Sequence, residues 1–226
     1  MDSPNFKAKA DAALADLRLR EALGKTRIMF VNKRAELAAA LPEFERLRDE
    51  ARDRKNHILA HLDHYLERFD EAVTRAGGQV HWCADAAEAR RVILDICQRV
   101  GAKSITKGKS MVSEEIGLNE ALEAEGYRVR ETDLGEYIVQ LAHEPPSHII
   151  APAAHKTREQ VADLFHAAHG GERKTSVAEL VTEARLVLRD EYFKADVGIT
   201  GGNFLVAETG ATVIVTNEGN GDLTQT

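Results

Sequence analysis

Predicted strands alternate with predicted helices from residue 77 onward, and this alternation constrains the fold more than any other feature of the sequence. The short apolar runs SIT, YRVRET and DVGIT predict three strands, with segments of helical apolar spacing between them. Capping signals predict helix starts at Asp85, Thr157 and Ser176, each with Glu or Gln three residues later. Because parallel strands need long crossovers, the alternation predicts a three-layer α/β fold, a mostly parallel sheet with helices on both faces.

Further segments extend the predicted sheet. Two more strands are predicted at QVHWC, residues 79–83, and at PSHIIAPA, residues 146–153. The runs FLVAE and TVIVT are joined by the tripeptide TGA, which predicts an antiparallel pair. The final segment, NEGNGDLTQT, predicts a glycine-rich loop with no further element after it. We therefore expect the chain to be the front part of a longer protein.

Residues 1–76 form a separate pattern, which is helical throughout. In the segment HILAHLDHYLERFDEAV the apolar side chains recur at helical spacing on one stripe, and Gly77 and Gly78 end the pattern. We expect two or three helices here. The predicted organisation is an N-terminal helical extension at 1–76 and an α/β domain at 77–226, together forming one structural unit.

Charge and cysteine content exclude several classes of function. The net charge of −7 argues against nucleic acid as a partner, because a phosphate-binding surface is basic. The two cysteines, Cys83 and Cys97, are too few for an iron–sulfur cluster. His57, His61 and His64 predict the polar flank of a helix rather than a metal site, since one helix rarely completes a tetrahedral zinc site. No membrane span or signal peptide is recognisable, so we expect a cytoplasmic protein.

The loop after the predicted strand SIT is the first candidate binding site, since ligands of open α/β sheets lie beyond the carboxyl ends of strands. Lys107, Lys109 and Ser110 precede a helix, whose free backbone N–H groups, together with the lysines, suit a carboxylate or a phosphate. The loop is not a P-loop, because that motif requires glycine where this sequence has Lys103. The alternative is a solvated basic loop; we favour a site for a small anion.

Other candidate residues follow other strands. Asp133 opens an Asp-x-x-Glu signature with Glu136, and we favour this helix-start role while keeping Asp133 as a candidate ligand-binding residue. His155 suits an acid, a base or a ligand donor, and equally a surface position. Glu208 ends an apolar run, where a carboxylate is either a site residue or the partner of a nearby lysine; we favour the site. Glycine-rich loops, which equally suit turns, contribute Gly201, Gly202, Asn203, Asn217, Glu218 and Asn220.

Five long segments also carry a family resemblance. They are LAHLDHYLERF, GGQVHWCADAAEA, TKGKSMVSEEIGLNEALE, ETDLGEYIVQLAHEPPSHIIAPAAHKTREQVADLF and ADVGITGGNFLVAETGATVIVTNEGN. Taken together and in this order, they closely resemble the LUD-domain family, over nearly all residues from about His57 onward. The sequence departs from the family at Gly202, where alanine is usual; this should loosen a loop and leave the function unchanged.

The resemblance implies both a fold and a function. The implied fold is related to ribose-5-phosphate isomerase, glucosamine-6-phosphate deaminase and the CoA transferases. The implied function is that of a subunit which, with two sister proteins, oxidises L-lactate to pyruvate. [4Fe–4S] clusters are expected in a second half of the protein, and this chain is expected to hold no cofactor and to bind a small anion or a partner. The alternative is a self-contained CoA-transferase- or isomerase-like enzyme that uses Glu208 as nucleophile or base.

Overall fold

The computed structural model describes residues 5–148 and 151–226. The helices are α1 Phe6–Ala15, α2 Leu17–Thr26, α3 Lys33–Ala40, α4 Phe44–Ala60, α5 Leu62–Arg75, α6 Ala86–Arg99, α7 Met111–Glu115, α8 Leu118–Ala124, α9 Leu134–Ala142, α10 Arg158–His169, α11 Val177–Lys194 and α12 Asn220–Gln225, with a π-helix at Arg27–Asn32. The strands are β1 Ser104–Gly108, β2 Arg128–Glu131, β3 Val197–Thr200, β4 Phe204–Val206 and β5 Ala211–Val213. Within the described ranges, every helix is too short or too polar to cross a membrane.

The chain divides into two compact units, each built from two stretches of sequence. The first unit combines Met1–Arg54 with Ile138–Val181, and the second combines Lys55–Tyr137 with Thr182–Thr226. The boundary expected between residues 76 and 77 falls inside the second unit.

The described part of the first unit is helical. Asp16 separates the first two helices: its carboxylate accepts hydrogen bonds from the backbone N–H groups of Arg18 and Leu19, at 2.9 and 3.0 Å, and so caps α2. The predicted capping box of Thr157 and Gln160 is confirmed at the start of α10. Over residues 5–76 the structure has five α-helices and a π-helix, where two or three helices were expected.

A parallel three-stranded sheet, in the order β2–β1–β3, is the centre of the second unit. Ile105 of the central strand β1 is paired with Val129 on one side and with Val197 on the other. All five residues of β1 are buried. Cys97 of α6 and Leu122 of α8 join Ile105 and Val129 in the hydrophobic core. The structure thus confirms the α/β class and the parallel pairing that the alternating pattern predicts.

The hairpin of β4 and β5 is antiparallel, as predicted, and forms a sheet of its own. Phe204 is paired with Val213, and both side chains are exposed. The turn of this hairpin approaches α5 closely: at Gly210, whose φ is +75°, a Cβ atom would collide with the backbone of Val73. Glycine is therefore required at this turn both by the close approach and by the positive φ.

Two predicted strands are not supported by the described residues. The segment QVHWC has no strand pairing; Trp82 is 58% exposed, and its Nε1 donates a hydrogen bond to Asp70 at 2.7 Å. This prediction was wrong, because an apolar run forms a strand only where a neighbouring strand accepts its backbone hydrogen bonds. The centre of PSHIIAPA, at positions 149 and 150, lies outside the described residues. On its flanks, the backbone N–H of Ser147 donates to the carbonyl of Pro152 at 2.9 Å, which closes a turn.

The final segment was predicted to be a loop with no further element, and this prediction was wrong: the segment ends in the helix α12. Glycine and asparagine in this segment have low helix propensity, and the packing of α12 on β1 and β3 compensates for it. At Gly198 of β3 a Cβ atom would collide with the carbonyl of Thr224, so only glycine admits the helix at this distance. The predicted helix SEEIGLNEALEAEG is likewise two helices, α7 and α8, because Gly117 adopts a left-handed conformation between them.

Candidate functional site

The loops after β1, β2 and β5 bring three predicted site residues together at the carboxyl edge of the three-stranded sheet. Lys109, which follows β1, donates from its ammonium to the carboxylate of Asp133, which follows β2. The same ammonium donates to Oδ1 of Asn217 at 3.0 Å. We call Lys109, Asp133, Asn217 and the neighbouring Asn220 the edge site. The side chains of Lys109 and Asp133 are mostly but not fully buried, so a small ligand can reach them.

Backbone features hold these loops close together. Lys109 has a φ of +59°, which is uncommon for a residue with a side chain and turns the chain sharply after β1. At Gly108 a Cβ atom would lie 2.5 Å from Oγ1 of Thr132, and at Gly201 it would collide with the carbonyl of Lys109. The loops after all three strands of the sheet therefore depend on glycine to approach one another.

Asp133 has two roles in this arrangement. Its Oδ1 accepts a hydrogen bond from the backbone N–H of Gly135 at 3.0 Å, which is the helix-start role favoured by the sequence pattern. Its other oxygen contacts Lys109. Glu218 reaches the same turn, where its Oε2 accepts from the backbone N–H of Leu134 at 3.4 Å.

Asn220 is the buried member of the edge site, and its side-chain amide has no hydrogen bond to the described residues. The residue is 3% exposed, and neither Oδ1 nor Nδ2 has a partner among the described residues. The Nδ2 atom lies 3.4 Å from the place that a Cβ atom on Gly108 would take. Buried polar groups are nearly always satisfied, so this amide calls for a partner outside the described protein atoms, such as an ordered water or a ligand.

Lys107 lies inside the second unit rather than at the ligand edge. Its side chain is fully buried, and its Nζ contacts Oε1 of Glu131 at 2.7 Å and Oγ of Ser113 at 2.8 Å. Asn119 donates to the same Oε1 of Glu131 at 2.7 Å. Ser110 caps α7, where its Oγ accepts from the backbone N–H of Ser113 at 3.2 Å. Both predicted ligand residues therefore already have structural partners.

Glu136 joins this buried group from α9. The pKa of Glu136 is raised to about 8, chiefly by burial and also by the neighbouring carboxylates of Glu131 and Asp133, while Lys107 acts to lower it. The sequence reading missed Glu131 altogether and saw Glu136 only as a helix signal. Lys107 and Glu131 are paired in the register of β1 and β2. A lysine in one predicted strand and a glutamate in the next are therefore the sequence feature that could have revealed the cluster.

The remaining predicted residues lie elsewhere. Asn203 stabilises the hairpin, since its Oδ1 accepts from the backbone N–H of Val215 at 2.7 Å. Gly202 precedes it, and Glu208 is exposed in the turn between β4 and β5. His155 belongs to the first unit, where it and Lys156 contact the carboxylate of Glu144 at 2.7 and 2.6 Å and lower the pKa of that carboxyl group.

No cluster with the composition of a metal site is found in the described parts of the chain. The three histidines weighed for zinc, at positions 57, 61 and 64, are all exposed. His57 contacts the hydroxyl of Tyr65 through Nε2 at 3.1 Å, and its ring packs against that of His61.

Comparisons with known proteins agree with the sequence resemblance. Lactate utilization protein B of Bacillus licheniformis is 45% identical over 222 residues, which are 98% of this chain and 46% of that protein. The protein of the same name from Bacillus subtilis is 43% identical over 98% of this chain and 46% of its own length. The one from Geobacillus is 43% identical over 99% and 47%. The chain thus spans about half the length of these curated relatives, and no solved structure matches it.

The family model of the LUD domain covers the whole second half of the chain and more. It matches residues 66–226, which include the three-stranded sheet, the hairpin and every residue of the edge site. The chain belongs to the LUD-domain family.

Proposed function

We propose that this chain is the LUD domain of a lactate-utilization protein, and that the whole protein works with sister subunits in a complex that oxidises L-lactate to pyruvate. The observation that carries the proposal is the likeness to Lactate utilization protein B of Bacillus licheniformis, which extends over 98% of this chain at 45% identity. The shared region includes the loops that form the edge site. In this proposal the domain binds the substrate, and other parts of the complex accept its electrons.

The edge site supports this role because Lys109 has a donor to spare for an anion. A lysine ammonium carries three hydrogen-bond donors, and Asp133 and Asn217 account for two of them. No partner for the third is found in the described ranges. A ligand carboxylate placed there would receive a charge-assisted hydrogen bond, which is among the stronger polar contacts.

Asp133 favours a hydroxy acid over a simple anion. A carboxylate that approaches Lys109 also approaches the negative charge of Asp133, which opposes its binding. A 2-hydroxy acid overcomes this opposition, because its hydroxyl group can donate a hydrogen bond to Asp133 while its carboxylate accepts from Lys109. L-lactate has both groups on adjacent carbon atoms, whereas propionate has the carboxylate alone.

The cysteines of this chain do not fit an iron–sulfur cluster. A cluster normally takes four thiolates, and the chain has two cysteines. Cys97 is buried in the core and Cys83 is exposed. We therefore place the proposed clusters outside this chain and assign no step of the reaction to them here.

Calorimetric titration of the purified chain tests the proposed binding role. We expect L-lactate to bind more tightly than propionate, and we expect Lys109→Ala to weaken lactate binding by about 1–3 kcal/mol through loss of a charge-assisted hydrogen bond. Asp133→Asn should reduce the preference for lactate over propionate, because an amide group is a weaker acceptor for the hydroxyl.

Lys103→Ala is the matched control, since Lys103 is an exposed lysine immediately before the same strand. It should leave lactate binding unchanged. If Lys109→Ala and Lys103→Ala have the same effect, or if propionate binds as tightly as lactate, the edge site is not the lactate site.

A further inference from the structure

The buried group around Lys107 contains more carboxyl groups than positive charges. Lys107, Glu131 and Glu136 are 0%, 3% and 5% exposed, so water screens their charges poorly. If all three were ionised, one ammonium would face two carboxylates in the interior of the second unit. A buried charge without compensation is costly, and a protein avoids that cost by changing the protonation state of the group.

The contacts show which carboxyl group is compensated. Glu131 has the direct ion pair with Lys107 at 2.7 Å and a hydrogen bond from Asn119 at the same oxygen. Lys107 also donates to Ser113 at 2.8 Å. The Oε2 atom of Glu136, by contrast, is buried with no hydrogen-bond partner among the described residues. Its carboxyl group lies within hydrogen-bonding reach of Glu131.

We propose that Glu136 is a neutral carboxylic acid at neutral pH, that its proton bridges it to Glu131, and that this bridge positions the Asp133 side of the edge site. Lys107, Glu131 and protonated Glu136 then form a group with no net charge. A proton shared between two buried carboxyl groups is the usual result when both cannot ionise together.

Two of the three charged groups that face Glu136 favour its protonated form. From β2 the carboxylate of Glu131 opposes its ionisation, and from its own turn so does Asp133; only Lys107, from β1, favours it. Ionisation is accordingly expected near pH 8. Glu114 of α7 responds to the same surroundings: burial raises its pKa, Lys107 lowers it and Glu131 raises it.

The bridge is coupled to the edge site through the turn between β2 and α9. The backbone N–H and the hydroxyl of Thr132 both donate to the carbonyl of Lys107, at 2.7 and 3.0 Å, and so fix the end of β2 against β1. Asp133 follows directly, and Glu136 lies one helical turn further on. Glu136 is thus a positioning residue, because it acts on a ligand through Asp133.

Carbon-13 NMR of the 226-residue chain labelled at the glutamate side-chain carboxyl carbon tests the proton assignment without any ligand. We expect one glutamate to titrate near pH 8, well above the ordinary range, and we expect this titration to disappear in Glu136→Gln. Glu123→Gln, which changes an exposed glutamate of α8, should leave it in place. The proposal is overturned if no glutamate titrates above about pH 6, an upper bound for ordinary glutamates, or if the high titration persists in Glu136→Gln.

Titration with L-lactate at several pH values tests the positioning role, and this arm rests on the proposed function. Ionised Glu136 adds a negative charge near Asp133, so lactate affinity should fall severalfold between pH 7 and pH 9, a window about one unit on each side of the expected transition. Glu136→Gln should keep the affinity and lose this pH dependence, because glutamine donates to Glu131 at every pH. Glu136→Ala should lose affinity at both pH values.

The two arms separate the possible failures. If lactate does not bind at all while one glutamate still titrates near pH 8, the proposed ligand is wrong and the proton assignment stands. If lactate binds with the same pH dependence in the parent chain and in Glu136→Gln, the positioning role is wrong and the lactate site stands.

Discussion

Glu136 makes the stability of the second unit depend on pH. Its pKa is raised in the folded chain from its ordinary value of 4.5 to about 8. Between these values the folded chain binds a proton that the unfolded chain has released, so the free energy of unfolding falls as the pH rises through this window. Below the window both states are protonated, and above it both are ionised, so the dependence ends at either side.

Glu136→Gln should remove this fall in the free energy of unfolding with rising pH, because glutamine resembles the protonated acid at every pH. We expect Glu136→Gln to raise the free energy of unfolding at pH 8 by roughly 1–3 kcal/mol relative to the parent chain, and to change it little at pH 4. Urea denaturation at a series of pH values measures this difference. Equal pH dependence in both proteins would show that Glu136 does not bind the proton in question.

Elements that depend on local pattern were predictable, and elements that depend on distant partners were not. β1, β2 and β3 were found because each is a short run that contains β-branched residues and lies between segments of helical pattern. The helix α12 was missed because glycine, found here at Gly219 and Gly221, is a poor helix former, and its packing on β1 and β3 is not visible in the local sequence.

The candidate site was predictable only in part: the sequence indicated the loops that contribute to it but not the direction of their side chains. The rule that ligands lie at the carboxyl ends of strands singled out the loops that contain Lys109 and Asp133, and in the structure Lys109 contacts both Asp133 and Asn217. The rule does not give side-chain direction. Lys107 lies within β1 and contacts Glu131 in the interior, whereas Lys109 lies after the strand, where its positive φ ends the regular alternation and its ammonium contacts Asp133.

Gly198→Ala tests the contact between β3 and α12. The added Cβ atom would collide with the carbonyl of Thr224, so the helix must move or the strand must distort. We expect a loss of roughly 1–3 kcal/mol in the free energy of unfolding, the usual cost of overpacking. Gly24→Ala is a suitable control, since Gly24 lies within α2 and no atom lies near its Cβ position. This substitution should stabilise the protein slightly, because alanine is a better helix former than glycine. Equal denaturation midpoints for Gly198→Ala and the parent chain would show that α12 does not depend on this contact.

At the scale of the whole molecule, the order of segments along the chain does not reveal the compact units. The first unit joins Met1–Arg54 to Ile138–Val181, and the second contains everything between and after them. A boundary placed where the sequence pattern changes, at residue 77, reflects a change of secondary structure. Contacts between distant segments decide the compact units, and a sequence pattern does not encode those contacts directly.

The division of labour proposed for the whole protein leads to a prediction about activity. Oxidation of lactate to pyruvate releases two electrons, and an enzyme side chain positions the acceptor but does not replace it. This chain has two cysteines, and no G-x-G-x-x-G sequence follows any of its strands. We therefore expect the isolated 226-residue chain to bind L-lactate without oxidising it. Lactate-dependent reduction of a dye, with and without added NAD and FMN, measures this.

The same assay on the proposed longer protein together with the proposed sister subunits completes the test. Activity should be present in the assembled complex and should fall with Lys109→Ala, because the substrate is then held less well at the edge site, while Lys103→Ala should retain it. Turnover by the isolated chain would contradict the proposed division of labour and would favour a self-contained enzyme, for which Glu208→Gln is the next variant to measure. Full activity of the complex with Lys109→Ala would instead separate the edge site from lactate oxidation, because a site that binds the substrate cannot lose its principal cation without effect on the reaction.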